Sequence, residues 1–165
     1  MIPAIIAGLD VKKIHQGALS IINKNNFTNT FKFAQLYRFC NANNFLSNVI
    51  MTYSDGLNYF GKWYLQLWAE SIGKKNRGIT ALHATGTTDQ HSQLQLYLDG
   101  PKDKFFTFIK SNYKNKGLKI NSEIMRGESV NYLVDKTMGD LMHAEQNATI
   151  DTFKLNNFKF REITI

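Results

Sequence analysis

Apolar positions recur at helical spacing through Ile14, Ala18 and Ile21, and Asp10 stands where it can cap the start of that helix. An asparagine-rich connector, Asn23 to Asn29, separates it from a second helix expected from about Thr30 to Ala42. Asn48 to Tyr53 then reads as a short buried strand. Asp55 and Gly56 open the strongest helical pattern in the chain, with Leu57, Phe60, Tyr64, Leu67, Trp68 and Ile72 in register and Gly73-Lys74-Lys75 as its stop. Ile79 to Ala84 reads as a second strand. Thr87 and Gln90 fit a capping box for a helix reaching about Leu98, and Asp99-Gly100-Pro101 breaks it. Lys104 to Lys110, KFFTFIK, is the clearest strand. Val130 to Phe153 follows as one long predicted helix, and Phe158 to Ile165 as a final strand. Strands alternating with helices predict an α/β fold, a parallel sheet with helices on both faces, whose ligands gather beyond the carboxyl ends of the strands.

Composition changes this picture little. At 165 residues with 43% hydrophobic and 13% aromatic content, a folded core is expected, and the size fits one domain. No apolar run approaches the roughly 20 residues of a membrane-spanning helix. The Met1–Leu9 stretch is apolar but short and has no basic leader, so a cytoplasmic location is expected. The single cysteine, Cys40, allows no intrachain disulfide or thiolate metal cluster and reads as a small core residue. The net charge of +7 would suit anionic partners, yet 16 of the 20 basic residues are Lys and 17 residues are Asn, a drift that A/T-rich coding produces unaided. The lysines from Lys102 to Lys119 surround a Phe-rich core segment, which is the pattern of a solvated face and not of a nucleic-acid interface.

No G-x-G-x-x-G, phosphate-binding P-loop, H-E-x-x-H or G-x-S-x-G motif occurs. His15, His83, His91 and His143 are single and lack metal-ligand spacing. Two residues carry possible chemistry. Glu70 borders the apolar stripe near the end of the aromatic helix, and periodicity alone favours an exposed carboxylate pairing with Lys74 at i+4. Its alternative role is a base: carboxylates at the negative end of a helix dipole, beside Trp side chains, bind protons more tightly and suit abstraction next to a carbonyl. His91 falls in a first helical turn, where the dipole keeps imidazoles neutral; it reads either as a local cap or as a proton donor and acceptor. Both follow predicted strands and are expected to face one sheet edge.

Several ordered blocks resemble the bacterial branch of glucose-6-phosphate isomerase: Thr52-Tyr53-Ser54-Asp55, Gln66 to Lys74 (QLWAESIGK) and Thr88 to Tyr97 (TDQHSQLQLY). Ile2-Pro3-Ala4, Ala7 to Asp10 and Gly139 to Gln146 (GDLMHAEQ) are similar to further segments of that family. The resemblance runs over nearly the whole chain and corresponds to a middle-to-late fragment. It implies a three-layer sandwich of the sugar-isomerase type, with residues 46–165 forming one such domain truncated at its C-terminal end and residues 1–45 a helical lead-in. It implies interconversion of glucose 6-phosphate and fructose 6-phosphate with neither metal nor organic cofactor. Glu70 corresponds to the base that moves a proton through an enediol, Gln66 to a substrate-contacting glutamine, and His91 to the ring-opening histidine contributed by the neighbouring subunit of a dimer. The phosphate-holding loops, the enediolate-steadying arginine and the late lysine of the family have no counterpart here. The resemblance therefore implies a partner, a second copy or a companion chain that supplies those loops. It also leads us to expect self-association through uncovered apolar surface at Met1–Leu9, Phe158 and Phe160.

Overall fold

The computed structural model describes residues 1–23, 27–123 and 127–165. The chain divides into two units, residues 1–43 and 44–165. Among its described residues the first contains the helices α1 (Ile2–Ile6), α2 (Val11–Asn23) and α3 (Phe27–Ala42). Asp10 caps α2 as expected, its Oδ1 accepting the N–H groups of Lys12 and Lys13 at 3.1 Å. The short α1, which begins with Pro3 in its first turn, is absent from the sequence reading. The connector expected at Asn23 to Asn29 lies partly outside the described residues, and α3 begins at Phe27 rather than about Thr30. Cys40 is buried.

In the second unit four parallel strands form one sheet: β1 (Ser47–Thr52), β2 (Thr80–Thr85), β3 (Lys104–Lys110) and β4 (Phe160–Thr164), in the order β2-β1-β3-β4. Every residue of β1 is buried, as the central strand of a parallel sheet covered on both faces requires. Side chains alternate across it. Val49, Met51 and Tyr53 join Phe106 and Phe108 of β3 on one face, in the core cluster with Tyr97, Ile150 and Phe153. Those last three come from α5 (Thr88–Asp99) and α6 (Met138–Leu155), which cover this face. The other face carries α4 (Asn58–Ile72), packed on β2 and β1. Gly61 of α4 is seated on the imidazole of His83 so closely that a Cβ there would stand 2.3 Å from the ring. His83 in turn bonds to the Thr52 hydroxyl through Nε2 at 3.0 Å, and burial holds its pKa below the ordinary value. This histidine is a satisfied member of the packing.

The architecture is the predicted three-layer α/β sandwich, with local differences that have physical causes. The helix expected from Val130 to Phe153 is two elements, a 3-10 segment at Glu128–Leu133 and α6 from Met138. Asp135 between them takes a left-handed φ of 62°, and Thr137 starts α6 anew with a capping box: its hydroxyl accepts from the Asp140 N–H, and the Asp140 carboxylate accepts from the Thr137 N–H at 2.8 Å. The capping box expected at Thr87 and Gln90 does not form. Asp89 instead accepts the Thr85 N–H at 2.6 Å, and the Gln90 amide oxygen accepts the phenol of Tyr53 at 2.8 Å. A 3-10 turn, Asp55–Leu57, precedes α4, with the Ser54 hydroxyl accepting from Gly56 N–H. Phe158 and Phe160, expected to be uncovered, pack into the aromatic core at 6.0 Å from Phe106 and 5.6 Å from Phe108. Met1, Ile2, Ile5, Ile6 and Leu9 are exposed.

Asp140 also receives the Asn115 N–H, and these backbone donors, Thr137's first and then Asn115's, hold its pKa at about 2, against 3.8 ordinarily. A carboxyl depressed by folding stabilises the native state fully above its unfolded pKa and loses that contribution as pH falls through the folded value. Thermal melting between pH 3.8 and about 2 should therefore fall more steeply for the native sequence than for Asp140→Asn. Parallel pH profiles would contradict this account of the α6 cap.

Candidate active site

Gln66 and Glu70 occupy the last two turns of α4, one helical turn apart, and the Gln66 Nε2 donates to Glu70 Oε1 at 3.1 Å. This partner replaces the expected Lys74, which follows the end of α4 at Ile72 and lies in the loop beyond it. The face of α4 turned to the sheet includes Gly61, Tyr64, Leu65, Trp68 and Ile72. Gln66 and Glu70 project from the opposite, exposed side together with Tyr59, Trp63 and Leu67, which are 79%, 52% and 42% exposed. Phe60 and Leu67, read from periodicity as part of the buried stripe, belong to this outer face. The carboxylate thus stands within an exposed apolar patch, a feature that marks interaction surfaces.

His91 lies elsewhere. Because α4 leaves the carboxyl end of β1 and returns to the start of β2, its final turns sit beside the amino ends of the strands. Trp68 Nε1 donates there to Ile79 O at 2.9 Å, and Trp68, Ala69, Gly73, Ile79 and Thr80 border a common groove. His91 is in the first turns of α5, just beyond the carboxyl end of β2. Six residues of strand separate the two edges, about 20 Å. The expectation that Glu70 and His91 share one sheet edge is incorrect within a single chain.

At the carboxyl edge His91 is exposed and lines an open groove of about 620 Å³ with Thr87, Gln90, Leu94, Leu98 and Glu145. Tyr53 is buried next to it, its phenol pushed up to about 12 by burial, so it remains a hydrogen-bond donor to Gln90. Gln90, Glu145 and Tyr53 did not emerge as site residues from the sequence, although each belongs to a segment that carries the family resemblance. Three of those segments, containing Tyr53, Gln90 with His91, and Glu145, converge on this groove. The segment containing Gln66 and Glu70 does not. Among the described residues no cluster of three His, Cys, Asp or Glu side chains is arranged to hold a metal ion, and no helix is long and apolar enough to cross a membrane.

The fold is a sugar-isomerase-type α/β sandwich; a crystal structure of a hypothetical protein from Thermus thermophilus superposes with a TM-score of 0.72 at 30% identity, covering 81% of this chain and 33% of that one. The chain is homologous to glucose-6-phosphate isomerases and matches a portion of their length. It is 35% identical to a probable glucose-6-phosphate isomerase of Methanococcus maripaludis over 99% of this chain and 39% of the relative. It is 36% identical to the glucose-6-phosphate isomerase of Rubrobacter xylanophilus over 90% of this chain and 36% of that protein. A shorter match, 42% identical over 102 residues, links it to the enzyme of Methanocaldococcus jannaschii. The chain therefore spans well under half the length of these relatives. No protein-family model matches the sequence.

Proposed function

We propose that the chain takes part in the interconversion of glucose 6-phosphate and fructose 6-phosphate, with Glu70 as the base, Gln66 contacting the substrate and His91 acting from a second copy. Opening the sugar ring breaks the C1–O5 bond and moves a proton from O1 to O5, work suited to an imidazole that gives and takes protons. Glu70 then removes the C2 proton and returns it at C1, while a proton passes from O2 to O1 and the carbonyl shifts from C1 to C2 through an enediol. The redox balance closes within the substrate. On this reading a companion chain supplies the loops that hold the phosphate.

The observation that carries this reading is the Gln66–Glu70 pair standing in an apolar yet exposed helix face. A base needs a partly desolvated setting, and here it obtains one only when another surface covers α4. A second copy provides both that cover and the imidazole that the opposite sheet edge keeps out of reach. Soluble sugar phosphates as substrates agree with a cytoplasmic location.

The exposed carboxylate also favours a second reading for the chain by itself, a sugar-phosphate-binding module without turnover. A coupled assay for fructose 6-phosphate formation separates them, run on the chain alone and with a companion carrying the phosphate loops. Turnover in the reconstituted mixture is expected. No turnover there, with calorimetric binding of sugar phosphate retained, overturns the catalytic reading.

A further inference from the structure

Beneath α4 a run of polar side chains crosses the sheet, and neither the aromatic core nor the proposed chemistry uses it. Asn48 of β1 is fully buried, and its Oδ1 accepts the Thr107 hydroxyl of β3 at 3.0 Å. The same Thr107 oxygen accepts from Nε of Arg161, on the edge strand β4, at 3.0 Å. Arg161 Nη2 donates in turn to the phenolic oxygen of Tyr64 on α4, also at 3.0 Å. Tyr64 is stacked on Trp68 with 5.6 Å between ring centroids, and Trp68 is fastened to Ile79 O at the entry to β2. One continuous path thus runs from the far edge of the sheet, through the last two turns of α4, to the near edge.

Tyr64 and Trp68 are one turn apart on the sheet side of these two turns. Gln66 and Glu70, also one turn apart, lie on the outer side of the same two turns. Any rotation or lift of the helix here redirects both pairs together. Packing seats Gly61 on His83 one turn earlier, while in these two turns Tyr64, Leu65 and Trp68 are only half-buried and leave part of the rotation to other contacts. Directional hydrogen bonds define it well. The planar guanidinium addresses Thr107 and Tyr64 at once with donors in fixed relation, which a lysine ammonium cannot reproduce.

We propose that Arg161 is a positioning residue for the Gln66–Glu70 pair, fixing through Tyr64 the orientation in which α4 presents the Glu70 carboxylate. The proposal rests on the reading of Glu70 as the base. Its test compares Arg161→Met, Tyr64→Phe and Arg161→Lys with Ile150→Val, a core change on the opposite face. The Glu70 carboxyl-carbon NMR resonance of the chain should move in Arg161→Met and Tyr64→Phe and stay in place in Ile150→Val. In the reconstituted assay Arg161→Met should lower kcat roughly tenfold or more with KM unchanged. Arg161→Lys should recover melting temperature without recovering kcat. A fall in melting temperature alone, with the Glu70 resonance and kcat as in the native chain, overturns the proposal. Should the native assembly show no turnover, the reading of Glu70 as base fails, while the carboxyl resonance still decides the role of Arg161.

Discussion

Replacing Glu70 by glutamine should remove isomerase turnover from the reconstituted system, lowering kcat on the order of 10²- to 10⁴-fold, the usual contribution of a positioned base. The substitution is well isolated. Glu70 is exposed, so its loss opens no cavity, and a glutamine oxygen can still accept the Gln66 N–H that Oε1 now accepts at 3.1 Å. Stability, self-association and sugar-phosphate affinity should therefore stay at native levels. KM should change little, since the lost interaction is one made in the transition state. A variant that turns over at the native rate would remove Glu70 from the mechanism.

The largest expected effect on stability comes from Phe153→Ala. Phe153 on α6 is fully buried, with ring centroids 4.5 Å from Phe106, 5.2 Å from Phe108 and 4.9 Å from Phe158. Its contacts with Phe106 and Phe108 are edge-on, the preferred aromatic geometry. Truncating such a ring loses its transfer free energy and leaves a void that rigid neighbours fill only partly, a cost of about 3–5 kcal/mol. Domains are stable by only about 5–15 kcal/mol, so the urea midpoint should fall sharply with its slope unchanged. A loss below about 1 kcal/mol would show that this cluster is not the core.

The strands were legible where burial on both faces leaves a plain apolar run: KFFTFIK coincides with β3, and Asn48–Tyr53 overlaps β1 within one residue at each end. The start of α6 was not, because Val130, Leu133 and Val134 continue the apolar periodicity of the helix that follows. Only the left-handed Asp135 and the Thr137–Asp140 cap divide them. On α4 the four-residue spacing put Gln66 and Glu70 on one helix face, but the partner expected for Glu70 was Lys74, whereas it is Gln66 that reaches the carboxylate. The spacing did not give their surroundings, since Phe60 and Leu67 fall at the spacing of the buried stripe yet are exposed together with Tyr59 and Trp63. The separation of Glu70 from His91 follows from chain direction, which local pattern does not encode: a helix leaving one parallel strand for the next ends at the amino edge, and the helix after that next strand begins at the carboxyl edge. Arg161 and Tyr64 gave no local signal, as 97 residues separate them in the chain.

In the proposed function the acid of one copy works opposite the imidazole of another. Cross-linking tests it without any need for turnover, using a chain bearing Glu70→Cys mixed with a chain bearing His91→Cys and treated with a short bis-maleimide. Both positions are exposed, and the native Cys40 is buried. The account predicts cross-linked dimer in the mixture and little in either variant alone. Equal cross-linking in the separate samples, or none in the mixture, would contradict it.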